Sequence, residues 1–236
     1  MKTLLLCLGL FTAAGLAACG GGGVNDNGAA RAPANAAAAA TPPAQTLPKI
    51  VAFGDSLTAG YGLASPKESY PALLQQMLDA DGYRYEVINA GVSGDTSAGG
   101  LRRLDWTLDS GEVRFVVLEL GANDFLRGQP VAETKKNLSA IIERAQARGA
   151  RVLLAGMYTT TNAGRDYLRQ IDEAFKSLAR EHDVPLIPFF LEGVAGQSAL
   201  NLDDGVHPNA EGTRLVAATV YKHLKPLLEE EEKSRQ

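Results

Sequence analysis

Phe115-Val116-Val117-Leu118-Glu119-Leu120 is the stretch on which the fold turns. It reads as a short, continuous apolar run bounded by turn residues, the pattern of a strand covered on both faces and so of the middle of a parallel sheet. Gly121-Ala122-Asn123-Asp124 ends it. Working outward, Ile50–Phe53, Tyr85–Asn89, Val152–Met157 and Val184–Pro188 read as four more strands. Helical spacing fills the gaps at Tyr70–Leu78, Ser97–Leu108, Val131–Ala147 and Asp166–Glu181. Asn209–Leu228 closes the pattern as a helix whose end Pro226 could bend. Five strands alternating with five helices predict an α/β fold, a five-stranded parallel sheet with helices on both faces. Sites in such sheets gather beyond the carboxyl ends of the strands. Ser56 follows the first strand, Gly91 the second and Asn123 the third; His207 comes after the fifth, just before the last helix.

The residues before this pattern have another character. Lys2 precedes an apolar run, Leu4–Ala18, which is too short to span a bilayer as a helix. Leu16-Ala17-Ala18-Cys19 resembles a bacterial lipobox, which implies cleavage before Cys19 and lipid on its sulfur and new amino group. Residues 1–18 are therefore expected to be a lipoprotein signal peptide. Residues 19–48, rich in Gly, Ala, Asn and Pro, read as a low-complexity tether that cannot build a core. The domain is expected over residues 49–228, and 229–236 as a charged, solvated tail. Cys7 would leave with the signal, so Cys19 would have no partner for an internal disulfide. The implied location is the bacterial cell envelope, membrane-anchored and facing the periplasm or surface. A net charge of -4 and the lack of a basic stripe argue against a nucleic-acid partner.

Two short segments carry the chemistry. Gly54-Asp55-Ser56-Leu57 offers a hydroxyl, and Asp204-Gly205-Val206-His207-Pro208 offers an imidazole and a carboxylate. Together these are the groups that activate a serine for acyl transfer. His182, at a helix end, and His223, in the closing helix, have adequate structural readings. His207 lies in an irregular loop stiffened by Pro208. Asp204 can fold back onto His207 Nδ1–H, and Asp203 competes for that role at a spacing of four. Acyl transfer also needs donors for an oxyanion. Gly91 offers a backbone N–H without a side chain, and Asn123 offers an NH2 group. No Gly-x-Ser-x-Gly is present: Gly91-Val92-Ser93-Gly94 is followed by Asp95. Neither a P-loop nor a dinucleotide fingerprint appears in the right place.

Gly54-Asp55-Ser56-Leu57, Gly91 within Asn89–Asp95, Gly121-Ala122-Asn123-Asp124 and Asp204…His207-Pro208 resemble, in order, the four motif blocks of the GDSL or SGNH hydrolases. The longer strings Gly54–Tyr61, Glu119–Asp124 and Asp203–Asn209 are similar to the branch that contains bacterial thioesterase I/lysophospholipase L1 and arylesterases. The resemblance implies a flavodoxin-like three-layer α/β/α sandwich. It implies Ser56 as nucleophile, His207 as base and Asp204 as its orienter. The oxyanion hole would be Ser56 N–H, Gly91 N–H and the Asn123 side chain, with no metal or cofactor. The expected activity is serine ester hydrolysis through an acyl-Ser56 intermediate, by a monomer acting on a small acyl ester or thioester. Carbohydrate deacetylation on envelope polysaccharide and a non-catalytic surface-binding lipoprotein are the alternatives. Loops at Phe125–Pro130, Tyr158–Asp166 and Phe190–Leu202, with Leu126, Tyr158 and Leu191, are expected to line the pocket.

Overall fold

The structure is a computed structural model that describes residues 46–158 and 164–234. The expected signal peptide, Cys19, the tether up to residue 45 and residues 159–163 of one expected pocket loop lie outside the described residues.

Five strands form one sheet: β1 (Lys49–Gly54), β2 (Glu86–Gly91), β3 (Val113–Glu119), β4 (Arg151–Ala155) and β5 (Leu186–Ile187). All neighbours pair in parallel, in the order β2-β1-β3-β4-β5. This is the flavodoxin-like doubly wound order. The chain winds one way from β1 to β2 and the other way from β3 onward, so the connections after β1 and β3 part and leave a crevice between them.

The helices are α1 (Ser56–Ala59), α2 (Tyr70–Ala80), α3 (Ser97–Leu108), α4 (Ala122–Leu126), α5 (Val131–Ala147), α6 (Arg165–Glu181) and α7 (Ala210–Ser234). α2 packs against α7, while α5 packs against both α3 and α6. These two groups make the outer layers of a three-layer sandwich. Phe115, Val116, Val117 and Leu118 of β3 are all buried, which confirms that both faces of the central strand are covered.

Three differences from the sequence reading have physical causes. α1 and α4 are single turns that spring directly from strand ends, too short to carry a helical period. β5 has two residues, because Pro185 and Pro188 flank it without N–H groups to give a ladder. The acidic run Glu229–Glu232 is not a separate tail: α7 continues through it to Ser234, with Glu231 buried while Glu229, Glu230 and Glu232 stay exposed. Arg114 and Arg151, at the starts of β3 and β4, draw it in. Arg114 pairs with Glu231, which is 7% exposed. Arg151 pairs with Glu230 at 2.6 Å and also donates to the Leu227 carbonyl, one turn earlier on the helix, at 3.0 Å.

Glu231→Ala is expected to lower unfolding stability by roughly 1–3 kcal/mol in urea titration, since it strips Arg114 of a buried partner; a solvated tail residue would change nothing measurable.

Candidate active site

Ser56 is the first residue of α1, immediately beyond β1. Asp55 caps this turn, its Oδ1 accepting from Leu57 N at 3.0 Å. Ser56 Oγ lies 2.8 Å from His207 Nε2, and His207 Nδ1 lies 2.7 Å from Asp204 Oδ2. Residues 151 positions apart thus meet in one hydrogen-bonded line.

The loop that brings His207 there is built from its own side chains. Asp204 Oδ1 accepts from the backbone N–H groups of His207 (3.0 Å) and Val206 (2.9 Å), which folds three residues back on themselves. Leu202 N–H donates to the His207 carbonyl at 2.7 Å, and Asn201 bridges to Pro208. Asn209 then caps α7, its Oδ1 accepting from Glu211 N and Gly212 N at 3.0 Å each. The Tyr61 ring rests 4.7 Å from the imidazole. The His207 and Val206 backbone N–H groups, and then the imidazole, hold the Asp204 carboxyl down at about 2. An ionised Asp204 only accepts, so Nδ1 carries the hydrogen and the Nε2 lone pair faces Ser56. This selects Asp204 over Asp203, which is exposed and has no such bond. His182 and His223 are elsewhere: one pairs with Ser139 Oγ at 2.8 Å, the other with the Thr219 carbonyl at 2.9 Å.

Asn123, in the first turn of α4, faces the same cleft and donates from Nδ2 to Asp55 Oδ2 at 2.8 Å. Gly91 does not join them. It closes β2, its N–H is taken by Asn89 Oδ1 at 3.0 Å, and it stands outside the cleft that holds Ser56. It is glycine because α1 crosses it: a Cβ there would come within 2.2 Å of Ala59 N. The glycine that does line the cleft, beside Ser93, is Gly94. Its φ of 82° is a conformation that glycine adopts without strain, and Arg127 Nη2 holds its carbonyl at 3.0 Å. The signal in the sequence is Ser93-Gly94-Asp95, a turn sequence just beyond the end of β2.

Two other residues escaped the sequence reading. Asp55 has a role of its own beneath Ser56, and Glu119 lies buried under both, inside what reads as an apolar strand. An acid in a covered strand was the available signal. The catalytic cleft has a volume of about 220 Å³. Beyond Leu57 and Leu126 it continues into an apolar pocket of about 80 Å³ walled by Met157, Tyr158, Phe189 and Leu191. Leu126, Tyr158 and Leu191 are thus where the sequence placed them.

A serine, an imidazole and a carboxylate in hydrogen-bonded series, at the carboxyl edge of a doubly wound sheet, make this a serine hydrolase of the ester-cleaving class. Residues 52–215 match the GDSL-like Lipase/Acylhydrolase family, and the chain belongs to it. It is 42% identical over 185 residues to "Esterase TesA" of Pseudomonas aeruginosa, covering 78% of this chain and 90% of that protein. It is 38% identical over 179 residues to "Thioesterase 1/protease 1/lysophospholipase L1" of Escherichia coli K12, covering 76% and 84%. Among solved structures, that of TesA superposes with a TM-score of 0.73 at 40% identity, over 76% of this chain and 99% of that one.

Asp204→Asn is expected to lower kcat by roughly 10²–10⁴-fold, because the amide favours the wrong imidazole tautomer. Asp203→Asn is expected to stay within about twofold of wild type. The Asp204 carboxyl titrates below its ordinary 3.8 in the folded chain. Its contribution to stability is therefore present above that value and lost as the pH falls toward about 2. Steady-state kinetics of the two variants, and acid unfolding of wild type against Asp204→Asn, check both statements.

Proposed function

We propose that Ser56 is the nucleophile, His207 its general base and Asp204 the group that orients the imidazole. The observation that carries this reading is the unbroken line Ser56 Oγ–His207 Nε2 (2.8 Å) and His207 Nδ1–Asp204 Oδ2 (2.7 Å). Ser56 Oγ attacks the acyl carbonyl as Nε2 takes its proton. The tetrahedral intermediate collapses as the imidazolium protonates the leaving alcohol or thiol. Water, deprotonated by Nε2, then releases the acid from acyl-Ser56.

The oxyanion is held by Ser56 N–H, Gly94 N–H and Asn123 Nδ2. Ser56 N–H belongs to the first turn of α1 and has no intrahelical partner. Gly94 and Asn123 face the same cleft.

The substrate is a carboxylic ester or thioester whose acyl chain passes Leu57 and Leu126 into the apolar pocket. Met157, Phe189 and Leu191 favour such a chain over an acetyl group alone, which argues for acyl esters rather than acetylated carbohydrate. The relatives named thioesterase 1/lysophospholipase L1 and esterase support thioesters and lysophospholipids as candidates. Leu16-Ala17-Ala18-Cys19 supports lipid attachment at Cys19 and a place at a membrane of the cell envelope, with residues 20–48 as the tether.

An organophosphonate serine probe is expected to label wild type and to fail on Ser56→Ala; labelling that survives the substitution overturns the assignment. On a series of p-nitrophenyl esters, kcat/KM is expected to rise about ten- to hundredfold from acetyl to longer acyl chains as the pocket fills. Mass analysis of the mature N-terminus in the native host is expected to find Cys19 lipidated.

A further inference from the structure

Two buried acids stand outside the relay from Asp204 to Ser56. Asp55 is 1% exposed and Glu119 is fully buried. They meet side chain to side chain beneath the nucleophile. Glu119 also faces Thr58 and, through it, the Tyr70 hydroxyl. Asp55 faces Asn123 and lies within electrostatic reach of His207. Among the described residues no Lys or Arg hydrogen-bonds either carboxyl. Two adjacent carboxylates in such surroundings do not both ionise, so one proton belongs to the pair.

Hydrogen bonding says where that proton sits. Both Asp55 oxygens are acceptors: Oδ1 takes Leu57 N–H at 3.0 Å and Oδ2 takes Asn123 Nδ2 at 2.8 Å. Glu119 Oε2 also accepts, from Thr58 Oγ1 at 2.8 Å and Asp55 N–H at 3.2 Å. Glu119 Oε1 is buried and receives no donor. Charged, it would be an anion with nothing to compensate it. Protonated, it is a donor beside the Asp55 carboxylate.

We propose that Glu119 is a positioning residue: as the neutral acid it hydrogen-bonds the ionised Asp55, so that Asp55 stays a pure acceptor and keeps the Asn123 amide turned with its NH2 toward the substrate oxygen. The distinction matters because an amide has two ends. A protonated Asp55 could donate to Asn123 Oδ1 and so reverse the amide. The hydrogen left for the oxyanion would then be misdirected. Burial pushes both carboxyls upward, Glu119 well above the ordinary carboxylate range, which agrees with the proton residing there.

The inference rests on Asn123 as an oxyanion donor, and its test has one arm that does not. Infrared difference spectra of wild type minus Glu119→Gln at neutral pH are expected to contain the C=O band of a protonated carboxylic acid; its absence overturns the proposal. In kinetics, Glu119→Ala is expected to lower kcat by up to about a hundredfold with KM little changed, as a misaimed oxyanion donor would. Glu119→Gln, which keeps a neutral donor in the same shape, is expected to restore most of that loss. An alanine variant that is folded and fully active, or a folded glutamine variant more than about tenfold impaired in kcat, refutes the positioning role. Should the alanine variant not fold, the glutamine variant and the spectrum decide. Loss of phosphonate labelling in wild type would instead count against the Ser56 assignment and leave the spectroscopic result standing.

Discussion

The pairing of β1 with β3 is the constraint on which the site depends. These strands are not consecutive, yet their register sets Gly54 opposite Glu119. Asp55-Ser56 and Ala122-Asn123 therefore leave the sheet at the same level, one on each side of the switch in winding direction. Ser56 and the amide that faces its cleft are neighbours because two strand ends are neighbours. A register shift of one residue would turn Glu119 to the opposite face and carry Asn123 away from Asp55. The same register forces an acid under the nucleophile, in contact with the Asp55 backbone.

A second set of bonds fixes the loops relative to these strand ends. Arg103 on α3 donates to the carbonyls of Gly54 (2.8 Å) and Ala90 (2.8 Å), at the ends of β1 and β2. Its Nε pairs with Asp95 at 2.6 Å, next to Gly94. Six residues earlier on α3, Ser97 gives both its N–H (2.8 Å) and its Oγ–H (2.5 Å) to the buried Asp124, beside Asn123. One helix thus anchors the ends of β1 and β2, the Gly94 turn and the Asn123 turn to a common frame. Such a frame would hold the proposed oxyanion donors in place before a substrate arrives, the preorganisation from which an oxyanion pocket gains its strength.

Much of this was legible in the sequence because it rests on local signals. The apolar runs predicted the five strands, and α3 and α5 have the bounds that their helical spacing predicts. The Asp204–His207 turn could be anticipated because its closure is made within four residues. What the sequence concealed depends on contacts between distant residues. Gly91 and Gly94 are equally bare as letters; only the crossing of α1 over one, and the opening of the cleft beside the other, tells them apart. The acidic end of α7 looks solvated until Arg114 and Arg151 are seen at the starts of two strands. Glu119 passed as part of an apolar run because the groups that receive it, Thr58 and Asp55, lie more than sixty positions away.

Three acids surround Ser56 and its imidazole partner, and their surroundings divide them into two kinds. Asp204 is open to water and receives two backbone N–H groups and an imidazole, all of which favour its anion. Asp55 and Glu119 are buried, and among the described residues no Lys or Arg hydrogen-bonds them, which favours shared protonation. With Ser56 as the proposed nucleophile, the firm negative charge on the imidazole side would stabilise the imidazolium formed during its attack. Placing a second full charge beneath the oxyanion would oppose the charge that develops there. In the proposed arrangement, a pair carrying one proton would limit that opposition to the single carboxylate that accepts from Asn123. On that proposal the buried acids would do least electrostatic harm while fixing the direction of a hydrogen bond, and the exposed one would sit where its charge is useful.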